Sequence, residues 1–246
     1  MARLLLLALV FAPPALAQQS FFNVPAGTRT SDHHIFLQEQ LNVAAGGAES
    51  NFTAATGLGL GFEAGFNVFH VDLFGDTVSH SARNLFMANL VFTRELTDWL
   101  TLQVGGQAGM GRFEGDGRYD FAGLGWALAR FDWHAPHLAA VLGVYTGTVS
   151  HLGPGWPVGP LVAVEWTAIP VWFALQADLV LGNHESAVAV VGGALLLPWG
   201  WALSAGVILP SPFSHNELGA CIELTRVPEF EGLPKERLIR PAPMRD

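Results

Sequence analysis

The chain has one cysteine and little charge. With Cys221 alone, no intramolecular disulfide can form, so a small secreted domain stapled by bridges is excluded. The expected role of that thiol is a small buried strand residue. Only 13% of the 246 residues are charged, against about 25% in an ordinary soluble protein. Much of the folded surface is therefore expected not to face water. Twelve basic residues stand against 21 acidic ones, giving a net charge of −9. That balance excludes the basic stripe that a nucleic-acid partner requires. No P-loop, Cys-x-x-Cys, Gly-x-Ser-x-Gly or His-Glu-x-x-His occurs. Ser79-His80 and Ser150-His151 are adjacent, but neighbours in a strand point to opposite faces and make no nucleophile–base pair. No enzymatic activity and no cofactor are expected.

What is present begins with residues 1–17. Met-Ala-Arg precedes an apolar run that ends in Ala15-Leu16-Ala17. This is the pattern of a cleaved signal peptide, too short and wrongly flanked for a membrane span. Residues 18–32 are read as a periplasmic N-terminal segment. Beyond them, twelve segments show a two-residue rhythm: 33–43, 52–60, 62–73, 84–95, 99–111, 119–133, 137–150, 159–168, 171–182, 186–198, 200–210 and 217–227. In 100–111, Leu100, Leu102, Val104, Ala108 and Met110 share one face, and Thr101, Gln103, Gly105, Gln107 and Gly109 share the other. In 171–181, Val171, Phe173, Leu175, Ala177 and Leu179 oppose Ala174, Gln176 and Asp178. Such a period of two gives each strand one apolar face. Most segments are close to the length that a tilted strand needs to cross a bilayer, about 9–11 residues.

The connections alternate in character. Links 61–62, 97–98, 134–136, 169–170 and 198–200 are tight. Links 44–51, 74–83, 112–118, 151–158, 183–186 and 211–216 are read as longer and more polar. The long set is every odd link, which is the short-turn, long-loop asymmetry of an outer-membrane barrel. Trp99, Trp133, Trp172, Trp199 and Trp201 lie close to tight turns, as an aromatic girdle at one membrane interface would require. The rival is a helical membrane protein, because 187–209 is uncharged and long enough to span. Gly192-Gly193 and Pro198-Trp199-Gly200 interrupt that stretch and suit a hairpin instead. Residues 228–246 carry four prolines and no rhythm, and read as a flexible periplasmic tail.

Over 33–227 the chain resembles the bacterial outer-membrane β-barrel superfamily. The features that carry the resemblance are the exported N-terminus, the alternating strands, the aromatic turns and the Gly57-Leu58-Gly59-Leu60-Gly61-Phe62-Glu63 hairpin. It implies an all-β fold, a transmembrane antiparallel up-and-down barrel of about 12 strands in the outer membrane of a Gram-negative bacterium. It also implies a monomer that meets the lipid bilayer and the barrel assembly machinery. The absence of a final aromatic residue on the last strand departs from the usual pattern.

For the lumen, alternation turns Glu63, Gln103, Gln107, Glu165, Gln176, Asp178 and Glu223 inward, with Arg94 and Arg130 near strand ends. These charges are read either as an ion-pair network holding the barrel shut or as a constriction ring. Glu39 breaks the rhythm of the first strand and marks either a bulge or a reversed face. The small residues Gly105, Gly109, Gly123, Gly125, Ala127, Gly143, Gly147, Ala174, Ala202 and Gly206 are also placed inward. They leave room for a narrow channel or relieve crowding. His80, His151, His184 and His215 fall in four different outer loops. They are read as solvated histidines or, if the loops converge, as a zinc or copper site at the rim. The leading expectation is a porin-like passive pore or transport barrel for small polar solutes. The alternative is a non-conducting structural or surface-binding barrel.

Overall fold

The computed structural model describes residues 20–75, 82–112, 117–169, 172–214 and 216–226. The expected signal peptide, the expected tail, His80 and His215 lie outside the described residues. Twelve strands form one sheet: β1 (Ile35–Ala44), β2 (Gly47–Gly59), β3 (Phe62–Gly75), β4 (Arg83–Thr97), β5 (Leu100–Arg112), β6 (Tyr119–Trp133), β7 (Leu138–Gly147), β8 (Val158–Ile169), β9 (Phe173–Val180), β10 (Val188–Leu197), β11 (Trp201–Pro210) and β12 (Gly219–Arg226). Each pairs antiparallel with its sequence neighbour, and β1 pairs with β12, so the sheet closes into a barrel. Closure leaves no unpaired edge. One short helix, α1 (Val149–Leu152), follows β7.

All twelve expected strands are present, and Pro198–Gly200 makes the β10–β11 hairpin where a spanning helix was the rival. No described helix is long and apolar enough to cross a membrane. One link differs from expectation. The sequence predicts a long loop over 44–51, but β1 and β2 are joined by the two-residue turn Ala45-Gly46. The polar run Glu49-Ser50-Asn51 belongs to β2, because its side chains have partners across the barrel wall and inside it. The other odd links remain longer than the even ones.

The rhythm decides which side chain faces which way. On the outer surface stand Leu102, Val104, Val144, Val164, Leu175, Val191, Leu203 and Ile222, all well exposed. Trp99, Trp133, Trp172 and Trp199 are exposed at the tight-turn end, with Trp201 partly covered beside them. Trp99 and Trp133 both stack on Phe131, with centroids 6.4 and 6.3 Å apart. Glu39 lies on the outer face between Leu37 and Leu41, in unbroken register, and accepts a hydrogen bond from the Ser50 hydroxyl. It marks no bulge; a neighbour's hydroxyl answers the acid where it stands.

Two inward assignments are corrected. Arg94 is exposed on the outer face, and Thr93 takes the inward position. Gly123, Gly125 and Ala127 share the outward parity of β6, because Ala122, Leu124, Trp126, Leu128 and Arg130 fill the inward one.

Candidate functional site: the barrel interior

The lumen is occupied by the chain's own N-terminal segment. The sequence predicts a periplasmic stretch over 18–32, ahead of the barrel. Residues 20–31 instead run inside it. Phe21, Phe22, Val24 and Ala26 are at most 2% exposed. Fully burying a side chain of the Phe or Val type stabilises by roughly 1.5–3 kcal/mol, so these residues prefer the interior to water. Phe21, Val24 and Ala26 pack with Leu128, Val141, Leu161 and Val180. Phe22 packs with Val190 and Cys221 on the other side. A tight turn, Phe21 N–H to Val24 O at 2.9 Å, lets the segment place apolar side chains on both sides.

Polar wall residues hold the segment's backbone. The Ser20 hydroxyl exchanges hydrogen bonds with Gln38 of β1. The amides of Asn23 and Val24 donate to Asp178 Oδ2 of β9 at 2.5 and 3.0 Å. Ala26 O accepts from Arg130 Nη1 of β6 at 2.8 Å. Thr28 O accepts from Gln103 Nε2 of β5 at 2.8 Å. The Thr30 amide donates to Glu63 Oε2 of β3 at 2.6 Å. The His33 amide donates to Gly57 O of β2 at 3.1 Å, and β1 then begins. The contacts follow the barrel's own strand order, from β1 past β9, β6, β5 and β3 to β2. The segment is an inner hoop that makes nearly a full circuit.

This explains the inward charges. Glu63, Glu165, Asp178 and Glu223 are all buried, as alternation requires. Each of the four accepts a hydrogen bond from an uncharged donor. Glu63 and Asp178 accept backbone amides of the hoop, and Glu165 accepts from Gln176 Nε2 at 2.7 Å. Glu223 accepts from the Thr225 hydroxyl at 2.9 Å. An ion pair at this level joins Arg130 to Asp132, at 2.8 Å. An irregular segment inside a barrel brings backbone N–H groups that no strand can satisfy, and buried carboxylates answer them. The notches left by small residues are filled too. A Cβ on Gly105 would fall 2.4 Å from the Trp126 ring, and one on Gly206 would fall 3.0 Å from Phe22.

Between the hoop and the long-link end lies a cavity of about 340 Å³. Phe22, Asn23 and Thr28 of the hoop line it on one side, and His151, Leu152 and Ser186 line it on the other. Here α1 folds inward. Ser150, His151 and Leu152 are buried, and Ser150 O accepts from the Ala82 amide at 2.9 Å. His151 and His184, expected in solvated loops or a rim metal site, are therefore interior residues. The two take different partners. His151 Nε2 lies 3.5 Å from Gln107 Nε2, and its ring packs near Phe69 and His70. The Tyr145 hydroxyl donates to Leu181 O at 2.7 Å, which leaves it to accept from His184 Nε2 at 2.5 Å. Burial holds both imidazoles below the usual histidine range, that of His151 at about 3, with His70 and His184 adding to the effect on His151. Among the described residues, no group of three His, Cys, Asp or Glu side chains is placed to hold a metal ion.

A second polar cluster escaped the sequence reading. Glu49 accepts from His70 Nδ1 at 3.0 Å and from Arg83 Nη1 at 3.1 Å, and Arg83 also meets Asp72 at 3.2 Å. By strict alternation His70 would face outward. A bulge in β3 sets Phe69 and His70 opposite the single residue Asn51, and His70 takes a positive φ of 55°. The Asn51 side chain accepts the displaced His70 amide at 2.8 Å. No sequence signal marks the bulge, beyond the polar run in β2 that answers it.

No family model matches the chain, and no curated protein matches it.

Proposed function

We infer that this chain is a bacterial outer-membrane β-barrel, monomeric, whose own N-terminal segment closes its lumen. Three features support the membrane setting. The outer face is mostly apolar, with Glu39 and Arg94 among its few charges, the sheet has no open edge, and Trp99, Trp133, Trp172, Trp199 and Trp201 gather at the tight-turn end. A soluble barrel of this size would present charge where this one presents Leu, Val and Phe. Insertion by the barrel assembly machinery is part of the same reading.

Of the two functions left open by the sequence, the seated hoop favours the non-conducting barrel over the standing passive pore. The observation that carries this is the set of wall contacts to residues 20–31. The side chains read as a constriction ring, Glu63, Gln103, Arg130 and Asp178, are engaged with the hoop's backbone. They are not free to select a passing solute.

Planar bilayer recording tests the reading. The intact chain, refolded with its N-terminal segment, is expected to be silent. A variant lacking residues 20–31 is expected to give stable single-channel steps. Folding of each is checked by heat-modifiable migration on gels. Steps of equal size from both proteins would sink the closed-barrel reading.

A further inference from the structure

The cavity above the hoop has a wall unlike that of a space-filling core. Three carboxamides form a relay on it. Asn89 Nδ2 donates to Asn67 Oδ1 at 3.1 Å, and Asn67 Nδ2 donates to Gln107 Oε1 at 2.5 Å. Gln107 then meets His151. Both ends of the relay are unfinished. Asn89 Oδ1 and His151 Nδ1 are buried and make no hydrogen bond, and His151 is only 7% exposed. A carboxamide has two N–H donors and a carbonyl with two lone pairs. The relay uses part of that capacity and leaves donors and acceptors alternating along the wall. Buried polar atoms without partners are rare in native proteins, and each calls for one.

The nearby charges are already matched. Glu49 is engaged by His70 and Arg83, and Glu63 by the Thr30 amide. Glu185, the third acid of the lining, is close enough to His184 to act on its charge. A charged ligand would leave water for a site with little counter-charge to offer, which is costly. An uncharged one would not meet that penalty. Trp126 and Phe69 add aromatic surface, and the indole N–H of Trp126 is fixed on Gln103 Oε1 at 3.1 Å. The volume, about 340 Å³, is at the small end of ligand sites.

We propose that this chamber binds a small uncharged polyhydroxylated molecule, of one or two sugar rings, through the alternating donors and acceptors of Asn67, Asn89, Gln107 and His151. Hydroxyl groups both donate and accept, as carboxamides do, so a polyol completes the relay at both open ends. The proposal rests on the closed-barrel reading, because an open channel would exchange its contents with bulk water.

Isothermal titration of the intact chain tests it, in an amine-oxide detergent that carries no sugar headgroup. The probes are glucose, galactose, maltose, sucrose and sorbitol, with choline and inorganic phosphate as charged counterparts. Saturable heat is expected from at least one neutral probe and from neither charged one. Affinity is expected to fall at least tenfold in Asn67→Leu and Gln107→Leu. Gln107→Glu keeps shape and is the second variant should those fail to fold; it is expected to weaken binding as well. Val104→Ala, on the outer face, is expected to bind as the parent does. No saturable heat from any neutral probe would overturn the proposal, and so would binding of choline or phosphate alone, or equal affinity in the relay variants. Bilayer recording separates the two readings. If the intact chain is silent and no polyol binds, only the chamber proposal fails. If the intact chain conducts, the closed-barrel reading fails whatever the titration shows.

Discussion

Arg130 donates from Nη1 to the carbonyl of Ala26 at 2.8 Å, across 104 residues of sequence. The same guanidinium holds Asp132 through Nε at 3.0 Å. One wall residue thus fastens the inner hoop while its charge is balanced beside it. Arg130→Ala removes the donor and frees the hoop at that point. In a Cys221→Ala background, Ala26→Cys is expected to react slowly with a maleimide. Adding Arg130→Ala is expected to speed the reaction at least tenfold. Unchanged labelling would mean that the contact does not hold the hoop.

Asp178 offers a graded version of the same test. Its Oδ2 accepts two successive amides of the hoop. Asp178→Asn keeps an acceptor oxygen of the same size but gives up the charge. Asp178→Leu leaves both amides without a partner, and each orphaned buried donor costs about 1–3 kcal/mol. Labelling at position 26 is expected to rise in the order parent, Asn, Leu. The reverse order would show that the carboxylate is not the anchor.

Acid is expected to undock α1. The ordinary histidine value is 6.5, and burial pushes His151 down to about 3, with His70 and His184 adding to the shift. The seated imidazole is therefore neutral while the released one takes a proton below 6.5. Docking is fully present above 6.5 and weakens as pH falls toward 3, by at most about 1.4 kcal/mol per pH unit for one proton. Hydrogen exchange at Ser150, His151 and Leu152 is the measurement. Protection is expected to fall between pH 7 and pH 5, and the fall is expected to vanish in His151→Gln. Flat protection would contradict the assignment.

The Gly105 notch is a packing prediction. A Cβ there would stand 2.4 Å from the Trp126 ring. Gly105→Val must displace the indole or the strand, and overpacking of this kind costs about 1–3 kcal/mol. Loss of the Gln103 contact is expected to shift the Trp126 emission. A difference spectrum against Trp126→Phe isolates that residue from the other seven tryptophans.

The outer face gives the membrane test. Val104 is 58% exposed at mid-strand. Val104→Arg is expected to cost about 2–4 kcal/mol for a barrel folded in phospholipid vesicles, read by urea unfolding. On a water-facing surface the same change would fall within about 0.5 kcal/mol. A neutral result would argue that this face never meets lipid.

Much of this architecture was legible beforehand, for a simple reason. A strand that is apolar on one side writes its two-residue period into the sequence. Leu102, Val104 and Met110 against Gln103, Gln107 and Gly109 needed no further context. The inward carboxylates followed from the same parity. Position near a strand end says nothing of the facing of Arg94; parity, with Thr93 inward, turns it out. The small size of Gly123, Gly125 and Ala127 carries no facing of its own, and Trp126 and Arg130 claim the inward side of β6. His70 was out of reach, since a single bulged residue inverts everything the rhythm predicts beyond it.

Local alternation and turn chemistry, then, determined the strands, their number and the facing of residues in unbroken register, the bulge at His70 excepted. They do so because strand geometry is repetitive and each residue's facing depends only on its neighbours. What occupies the enclosed space was decided by the tertiary structure alone. Phe21, Val24 and Thr30 have no periodic partner in sequence. Their places exist only once strands as distant as β3, β6 and β9 have come round to make a wall, with Glu63, Arg130 and Asp178 turned toward unsatisfied backbone.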